Sequence, residues 1–197
     1  MKNIIEYKIP FSSKNIEIQV REFLNYYGKD KTVFHSYEVA NKAKELAEKF
    51  NVPKDKAYLA GLLHDISVII PDDERIELQK SLGEEVLKEE EKLPMILHQK
   101  QSVCIAKELF NIKDREILSA IECHTTLKKN ASSLDKVVFI ADKIKWDRDH
   151  SAPYLKKLDK ALDISLDQGC KTYIEWALTD IFVLHPWLKD AMCDLGM

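Results

Sequence analysis

Glycine and proline are scarce, with five of one and six of the other in 197 residues. Alanine, leucine, isoleucine, lysine and glutamate are abundant instead, so the composition favours helices joined by short connections. No long low-complexity linker separates them, and a chain of this length fits one domain that buries roughly 70% of the surface its unfolded form exposes. Cysteine is sparse too. Cys104, Cys123, Cys170 and Cys193 are widely spaced without a CxxC pair, which argues against a disulfide framework or a zinc knuckle and for reduced thiols in a core. Only Cys123, beside His124, is a candidate for an accessory contact. No apolar run approaches the ~20 residues that span a bilayer, and Met1 to Pro10 lacks the apolar segment of a secretory signal. The expected location is the cytoplasm, with no membrane partner. A charge excess of one sign is also missing, since 30 Lys and Arg face 33 Asp and Glu. That balance predicts no nucleic-acid partner and leaves room for a small polyanion bound locally.

Hydrophobic spacing supplies the elements. Val39, Ala43, Leu46, Ala47 and Phe50 recur at three or four residues and predict a helix over 36–50, ended by Asn51 and Pro53. A second helix, over about 54–66, carries Ala57, Ala60 and Gly61, small enough for close helix approach, into Leu62-Leu63-His64-Asp65. The polar stretch 71–83 predicts a surface helix, and the acidic stretch 84–92 a solvent-facing segment that Pro94 closes. Helices follow over about 98–110, 114–125 and 133–146, with a long one over 153–178. His185-Pro186-Trp187 reads as a turn before a short final helix and His150 as a loop residue. Lys2 to Ser13 reads either as a packed extension or as a contact in a homodimer.

Ionisable residues extend the core-facing stripes of three helices. Ser102, Ile105, Ala106 and Leu109 share a face with His98; Ile117, Ala120 and Ile121 share one with His124; Leu134, Val138 and Ala141 run into Asp142. One histidine on an apolar face is ordinarily a hydrogen-bonded core residue. Four of them, His35, His64, His98 and His124, together with Asp65 and Asp142, outweigh that reading. A buried carboxylate needs a charge partner, because desolvating an unpaired ion is costly. A divalent cation supplies it, and mixed imidazole and carboxylate ligands suit iron, manganese or zinc rather than calcium. The adjacent His64 and Asp65 reach one ion only near a helix end or an irregular turn, which 66–71 offers. Such an ion lowers the pKa of bound water toward ~7 and neutralises phosphoryl oxygens, and two ions ~3.5–4 Å apart clamp both attacking and leaving sides. Asp65 is then a bridging or water-orienting carboxylate. His98 and His124, where not ligands, are suited to donate to a transferring phosphoryl group or to protonate a leaving group.

The order His35, His64-Asp65, Asp142 resembles the H…HD…D signature of the HD-domain superfamily of metal-dependent phosphohydrolases. Within it, the segments HSYEVANKAKELA, AYLAGLLHDIS, MILHQKQSVCIAKELF, ILSAIECHTT and LDKVVFIADKI resemble the YqeK-like family, the symmetrical bis(5′-nucleosyl)-tetraphosphatases. Order and approximate spacing agree from about residue 30 to 185. The resemblance implies an all-α HD-domain helical bundle forming a single domain, with 1–30 as an N-terminal extension and first helix and 31–197 as the hydrolase domain. It also implies a small-molecule nucleotide substrate, diadenosine tetraphosphate cut to two ADP, and a divalent metal, iron, as one or two ions. Carried over position by position, His35, His64, Asp65 and Asp142 are metal ligands, and His98 and His124 either complete a second metal position or contact phosphate. The implied catalytic residues are Asp65, His98 and His124. The implied substrate-binding residues are His98, His124, Thr125 and Arg148, whose guanidinium suits a fork-like phosphate contact.

Four positions depart from the family pattern. The lysine four residues after the first histidine of the HD pair is Val68, and the basic residue three before the first ligand histidine is Thr32. The acidic-proline-glycine turn after Asp142 is Lys143-Ile144-Lys145-Trp146-Asp147-Arg148, and the glycine after His124-Thr125-Thr126 is Leu127. All four fall at the rim while the metal set is intact, the pattern of a divergent paralogue with altered substrate selection. Lys143, Lys145, Lys128 and Lys129 are candidates to restore positive charge, and Trp146 to stack on a base or pack as a staple. Rival readings are an HD reaction on a mononucleotide or cyclic dinucleotide, a metal-bound nucleotide sensor without catalysis, and a di-iron oxygenase.

Overall fold

The computed structural model describes residues 3–145 and 152–197, so Trp146, Arg148 and His150 lie outside the described residues. Among those residues there is no strand. The helices are α1 (Ile16–Tyr26), α2 (Asp30–Lys49), α3 (Lys54–Leu63), α4 (Arg75–Ser81), α5 (Lys88–Lys92), α6 (His98–Glu108), α7 (Arg115–Glu122), α8 (Ser133–Ile144), α9 (Leu155–Leu162), α10 (Leu166–Ala177) and α11 (Pro186–Leu195). Short 3-10 turns occupy Ile4–Tyr7, Ile66–Ile69, Pro94–Leu97 and Leu178–Asp180. This is the all-α single-domain bundle that the composition and periodicity predict.

The pair α2 and α3 makes the most extensive packing in the molecule, and α8 lies across α2. Small side chains allow it: Ala40, Ala43, Ala47, Ala57 and Ala60 are fully buried. A Cβ placed on Gly61 would stand 2.9 Å from Ala40 Cα, so only glycine permits the backbones to approach this closely. Two of the helices that position the other site residues, α7 and α8, begin at side-chain caps. Asp114 Oδ1 accepts from the N–H groups of Glu116 at 2.9 Å and Ile117 at 3.3 Å, starting α7. Ser132 and Asp135 cap α8 reciprocally, at 3.1 Å and 2.8 Å.

Four features differ from the sequence reading. The long helix over 153–178 is two helices, because Ser165 Oγ accepts from the Gln168 N–H at 3.1 Å and starts α10 afresh. The α7 helix stops at Glu122, which leaves His124 in a turn. The polar helix α4 is not wholly a surface element, since Arg75 and Gln79 are buried. Nor is the acidic stretch solvent-facing throughout. Glu90 is fully buried, accepting from Lys100 Nζ at 2.7 Å and the Leu87 N–H at 2.8 Å, with His185 Nε2 at 3.3 Å. The expectation for 185–187 agrees with the fold: His185 Nδ1 accepts from the Trp187 N–H at 3.2 Å and caps α11. At the other end, Ile4, Tyr7 and Ile9 are buried in the same core as Val20 and Phe23, so this part of the N-terminal segment packs as an extension. No helix among the described residues is long and apolar enough to cross a membrane.

Candidate metal centre

Helix ends deliver most of the site. His64 follows α3 directly, Asp65 precedes the 3-10 turn Ile66–Ile69, and His98 opens α6 straight after the turn Pro94–Leu97. His124 sits two residues beyond α7, Asp142 lies in the last turn of α8, and His35 projects from the early part of α2. A helix end leaves its last carbonyls without intrahelical partners, and three of the histidines use them. His64 Nδ1 donates to the Gly61 carbonyl at 2.7 Å, His98 Nδ1 to Met95 at 2.6 Å and His124 Nδ1 to Ile121 at 2.8 Å. A carbonyl oxygen only accepts, so each Nδ1 holds a proton, and in the neutral ring, the form that ligates a metal, each Nε2 presents a lone pair.

Those lone pairs converge. His98 Nε2 and His124 Nε2 are 2.8 Å apart, and both face Asp65 Oδ1, at 3.2 Å and 3.3 Å. The other oxygen, Asp65 Oδ2, lies 3.4 Å from His64 Nε2 and 4.0 Å from His35 Nε2. Asp142 Oδ1 completes that side, 3.3 Å from His35 Nε2 and 3.6 Å from His64 Nε2. Two acceptor nitrogens at hydrogen-bonding distance repel unless a proton or a cation lies between them. His64 Nε2 is moreover buried with no hydrogen-bond partner among the described residues, a loss of free energy that protein atoms leave uncompensated. Both observations fit a divalent cation. His35, His64 and Asp142 form one candidate metal-binding group and His64, Asp65 and His124 a second, with the ligand atoms of each within 4.8 Å of one another.

The charges are tightly coupled. Burial alone would raise the carboxyl of Asp65, but His64, His124 and His98 hold it well below the ordinary range. Burial is likewise overcome at Asp142, by Lys143 first and then by His35 and His64. His64 is opposed by burial yet drawn up to about 10 by Asp65 and Asp142, so with protein charges alone it carries a proton that a metal ion would displace. Burial, reinforced by His98 and His64, pushes His124 down to about 4 and keeps it neutral, the form that ligates a metal.

The structure therefore brings together all six of His35, His64, Asp65, His98, His124 and Asp142, and adds Thr125, whose hydroxyl lies 3.1 Å from His98 Nε2. Cys123 does not join them. It is buried, its sulfur donates to the Ser119 carbonyl at 3.3 Å, and burial holds the thiol protonated. Of the four rim lysines, three are paired: Lys128 with Glu122 at 2.8 Å and Lys145 with Glu38 at 3.3 Å, away from the centre, and Lys143 with Asp142 Oδ2 at 2.6 Å, within it. Lys129 is exposed. Leu127, at the family's glycine position, keeps a left-handed backbone with φ +57°.

Periodicity placed Ser102 on the face of His98 but missed the other residues that hold the site in place. Gln99 Oε1 accepts from the N–H groups of Thr125 at 3.2 Å and Thr126 at 3.3 Å, fixing the turn that bears His124. Ser67 Oγ donates to the His98 carbonyl at 2.7 Å, Ser102 Oγ to Ser67 Oγ at 3.1 Å, and Arg75 Nη1 to Gln101 Oε1 at 2.8 Å. The signal that would have found them is the run Gln99, Gln101, Ser102, polar residues on an element otherwise bound for the core.

The sequence matches the HD domain family over residues 32–147. It is 46% identical over 145 residues to an uncharacterized protein in the pepC 5′ region of Lactococcus lactis subsp. cremoris, an alignment covering 73% of this chain and 74% of that protein. It is 33% identical to a symmetrical bis(5′-nucleosyl)-tetraphosphatase of Staphylococcus aureus, across 82% of this chain and 80% of the relative. The crystal structure of a "predicted HD superfamily hydrolase involved in NAD metabolism" from Clostridium acetobutylicum superposes with a TM-score of 0.80 at 29% identity, over 90% of this chain and 95% of the other. With the histidines and aspartates of the HD order gathered into one centre, the chain belongs to the HD-domain family of metal-dependent phosphohydrolases and is related to the symmetrical bis(5′-nucleosyl)-tetraphosphatases.

Proposed function

We propose that the chain hydrolyses a dinucleoside polyphosphate, diadenosine tetraphosphate before others, symmetrically to two ADP, with two divalent ions, iron before other metals. The observation that carries this reading is the division of Asp65 between two sets of lone pairs, Oδ2 toward His35 and His64 and Oδ1 toward His98 and His124. One position would be held by His35, His64, Asp142 and Asp65, the other by His98, His124 and the same Asp65. Of the two roles that sequence leaves open for His98 and His124, ligation is the better supported, because their Nε2 atoms face each other as acceptors. Bound there, such ions acidify a coordinated water toward pKa ~7 and neutralise phosphoryl oxygens.

The chain's own groups do the rest. Lys143 holds Asp142 in one orientation through Oδ2 and leaves Oδ1 facing the histidines. Thr125, beside His98, is in place to donate a hydrogen bond to a phosphoryl oxygen. Attack of water on either central phosphorus breaks the middle anhydride, and each half departs as ADP. The kinship with the Staphylococcus aureus tetraphosphatase supports the same substrate. Residues 31–197 are assigned as the catalytic domain, with 1–30 as its N-terminal extension and first helix.

Separation of nucleotides after incubation of iron-loaded protein with diadenosine tetraphosphate tests the reaction. ADP as sole product is expected; ATP with AMP, or turnover only of a mononucleotide or cyclic dinucleotide, rejects it. The mononucleotide reading draws on one observation, that Val68 packs against the core where the family places a phosphate-binding lysine.

A further inference from the structure

Beside the metal centre lies a cleft of about 410 Å³, within the size range of small-molecule sites. Met95, Thr125, Phe139, Tyr173, Trp176 and Phe182 line its mouth and walls. It adjoins the centre on two sides. On one, the Thr125 hydroxyl is 3.1 Å from His98 Nε2. On the other, the rings of Phe139 and Tyr173 lie 5.5 Å and 5.7 Å from Lys143 Nζ, the partner of Asp142. A molecule reacting between the histidines therefore has this cleft within reach past Thr125.

The chemistry of the lining selects what enters. No lysine or arginine lines it among the described residues, and its one carboxylate, Asp180, disfavours a second anion. A polyphosphate has no reason to bind there. Aromatic rings do line it: Phe139 and Tyr173 meet edge to face at 5.4 Å, and Trp176 lies 6.0 Å from Tyr173. Phe182, 80% exposed, keeps its ring in solvent beside Ile181 and Leu184, which are also exposed. Flat, weakly polar bases stack on such surfaces without needing sequence-specific partners. Among the described residues of the rim, Val68 replaces the lysine, and Lys128, Lys145 and Lys143 are paired with Glu122, Glu38 and Asp142.

We infer that this cleft holds one nucleoside of the substrate, with Phe182, Trp176 and Tyr173 as the residues on which its base stacks, so that the base rather than the phosphate chain supplies most of the affinity. The inference rests on the nucleotide reading of the site and adds the part of the nucleotide that is read.

Calorimetric titration of the metal-loaded full chain with ADP and, separately, with pyrophosphate tests it. ADP is expected to bind more tightly, and Phe182→Ala to weaken ADP about tenfold, as loss of one stacked base does, while leaving pyrophosphate unchanged. Because Phe182 is exposed, this variant keeps the fold; Trp176→Leu, checked by thermal melting, is the second variant. Equal affinity of the native chain for ADP and pyrophosphate overturns the inference. So does ADP binding that neither variant weakens, or a loss that falls equally on both ligands. Selective loss of ADP binding, in a protein that fails to cleave diadenosine tetraphosphate, would uphold the cleft and reject the proposed reaction. Cleavage to ADP with both variants unaffected would do the reverse.

Discussion

At the scale of the residue, Asp65 is the point on which the centre turns. Among the described residues it alone has an oxygen facing each side, so its replacement by Asn, which halves the anionic donors and introduces a hydrogen-bond donor toward lone pairs, affects both positions. Elemental analysis of purified protein is expected to show both ions lost in Asp65→Asn, whereas His98→Ala loses one and keeps the other. Two full equivalents of metal in both variants would break the two-ion assignment. Gln99 makes a subtler case, because it touches no proposed ligand yet accepts from two backbone N–H groups in the turn that bears His124. Gln99→Leu leaves those groups unsatisfied, and supporting residues of this kind typically carry about 10–100-fold in metal affinity or activity. A competition titration with a chelator reads that change, and an affinity equal to the parent's would reduce Gln99 to a packing residue.

At the scale of the element, the close approach of α2 and α3 sets the distance between His35 and His64. A methyl group on Gly61 would meet backbone of α2, Ala40 Cα at 2.9 Å, Ala40 N at 3.1 Å and Val39 C at 3.2 Å, and backbone does not swing aside as a side chain does. Gly61→Ala is expected to cost about 1–3 kcal/mol of stability, read by urea unfolding, and to weaken metal binding at the same time, since Gly61 also accepts from His64 Nδ1. Unchanged stability would mean that the helices slide apart at no cost. The core of this arrangement is legible in sequence because periodicity reports which face is buried, and Ala57, Ala60 and Gly61 announce tight packing. The break between α9 and α10 is not, because Ser165 competes with the helix through a local hydrogen bond that hydrophobic spacing does not register. Neither is the left-handed turn at Leu127, a backbone state that a branched side chain conceals and only comparison with glycine suggests.

At the scale of the whole molecule, the six ligand candidates were legible since His98, His124 and Asp142 continue apolar stripes and His35, His64 and Asp65 stand in the H…HD…D order, whereas the polar contacts that tie distant segments together were not. Glu90 is the clearest example. Its neighbours are more accessible, Glu89 half-buried and Glu91 exposed, and nothing in the run Glu89-Glu90-Glu91 distinguishes the buried member. The partners come from elsewhere: Lys100 from α6 at 2.7 Å, itself 4.9 Å from the Trp187 ring, and His185 at the cap of α11. Three segments remote in sequence thus meet on one carboxylate, and the C-terminal helix is fastened through it. Burial acts to raise the carboxyl of Glu90, but His185, the Leu87 N–H and Lys100 together lower it below its ordinary value. A carboxylate lowered in the folded state stabilises above its unfolded pKa of about 4.3 and loses that contribution as pH falls through the lower folded value. Stability should therefore decline on acidification through that window, with Asp65 and Asp142, both depressed, adding to the slope. Glu90→Gln removes one of these contributions. It is expected to cost about 3 kcal/mol at pH 7, as loss of one partner from a buried pair does, and to converge with the parent once Glu90 itself is protonated. Urea unfolding at a series of pH values from neutral to 3 measures both curves. A constant gap between them across the acid range would show that Glu90 stabilises by packing alone, and that the C-terminal helix is not held by its charge.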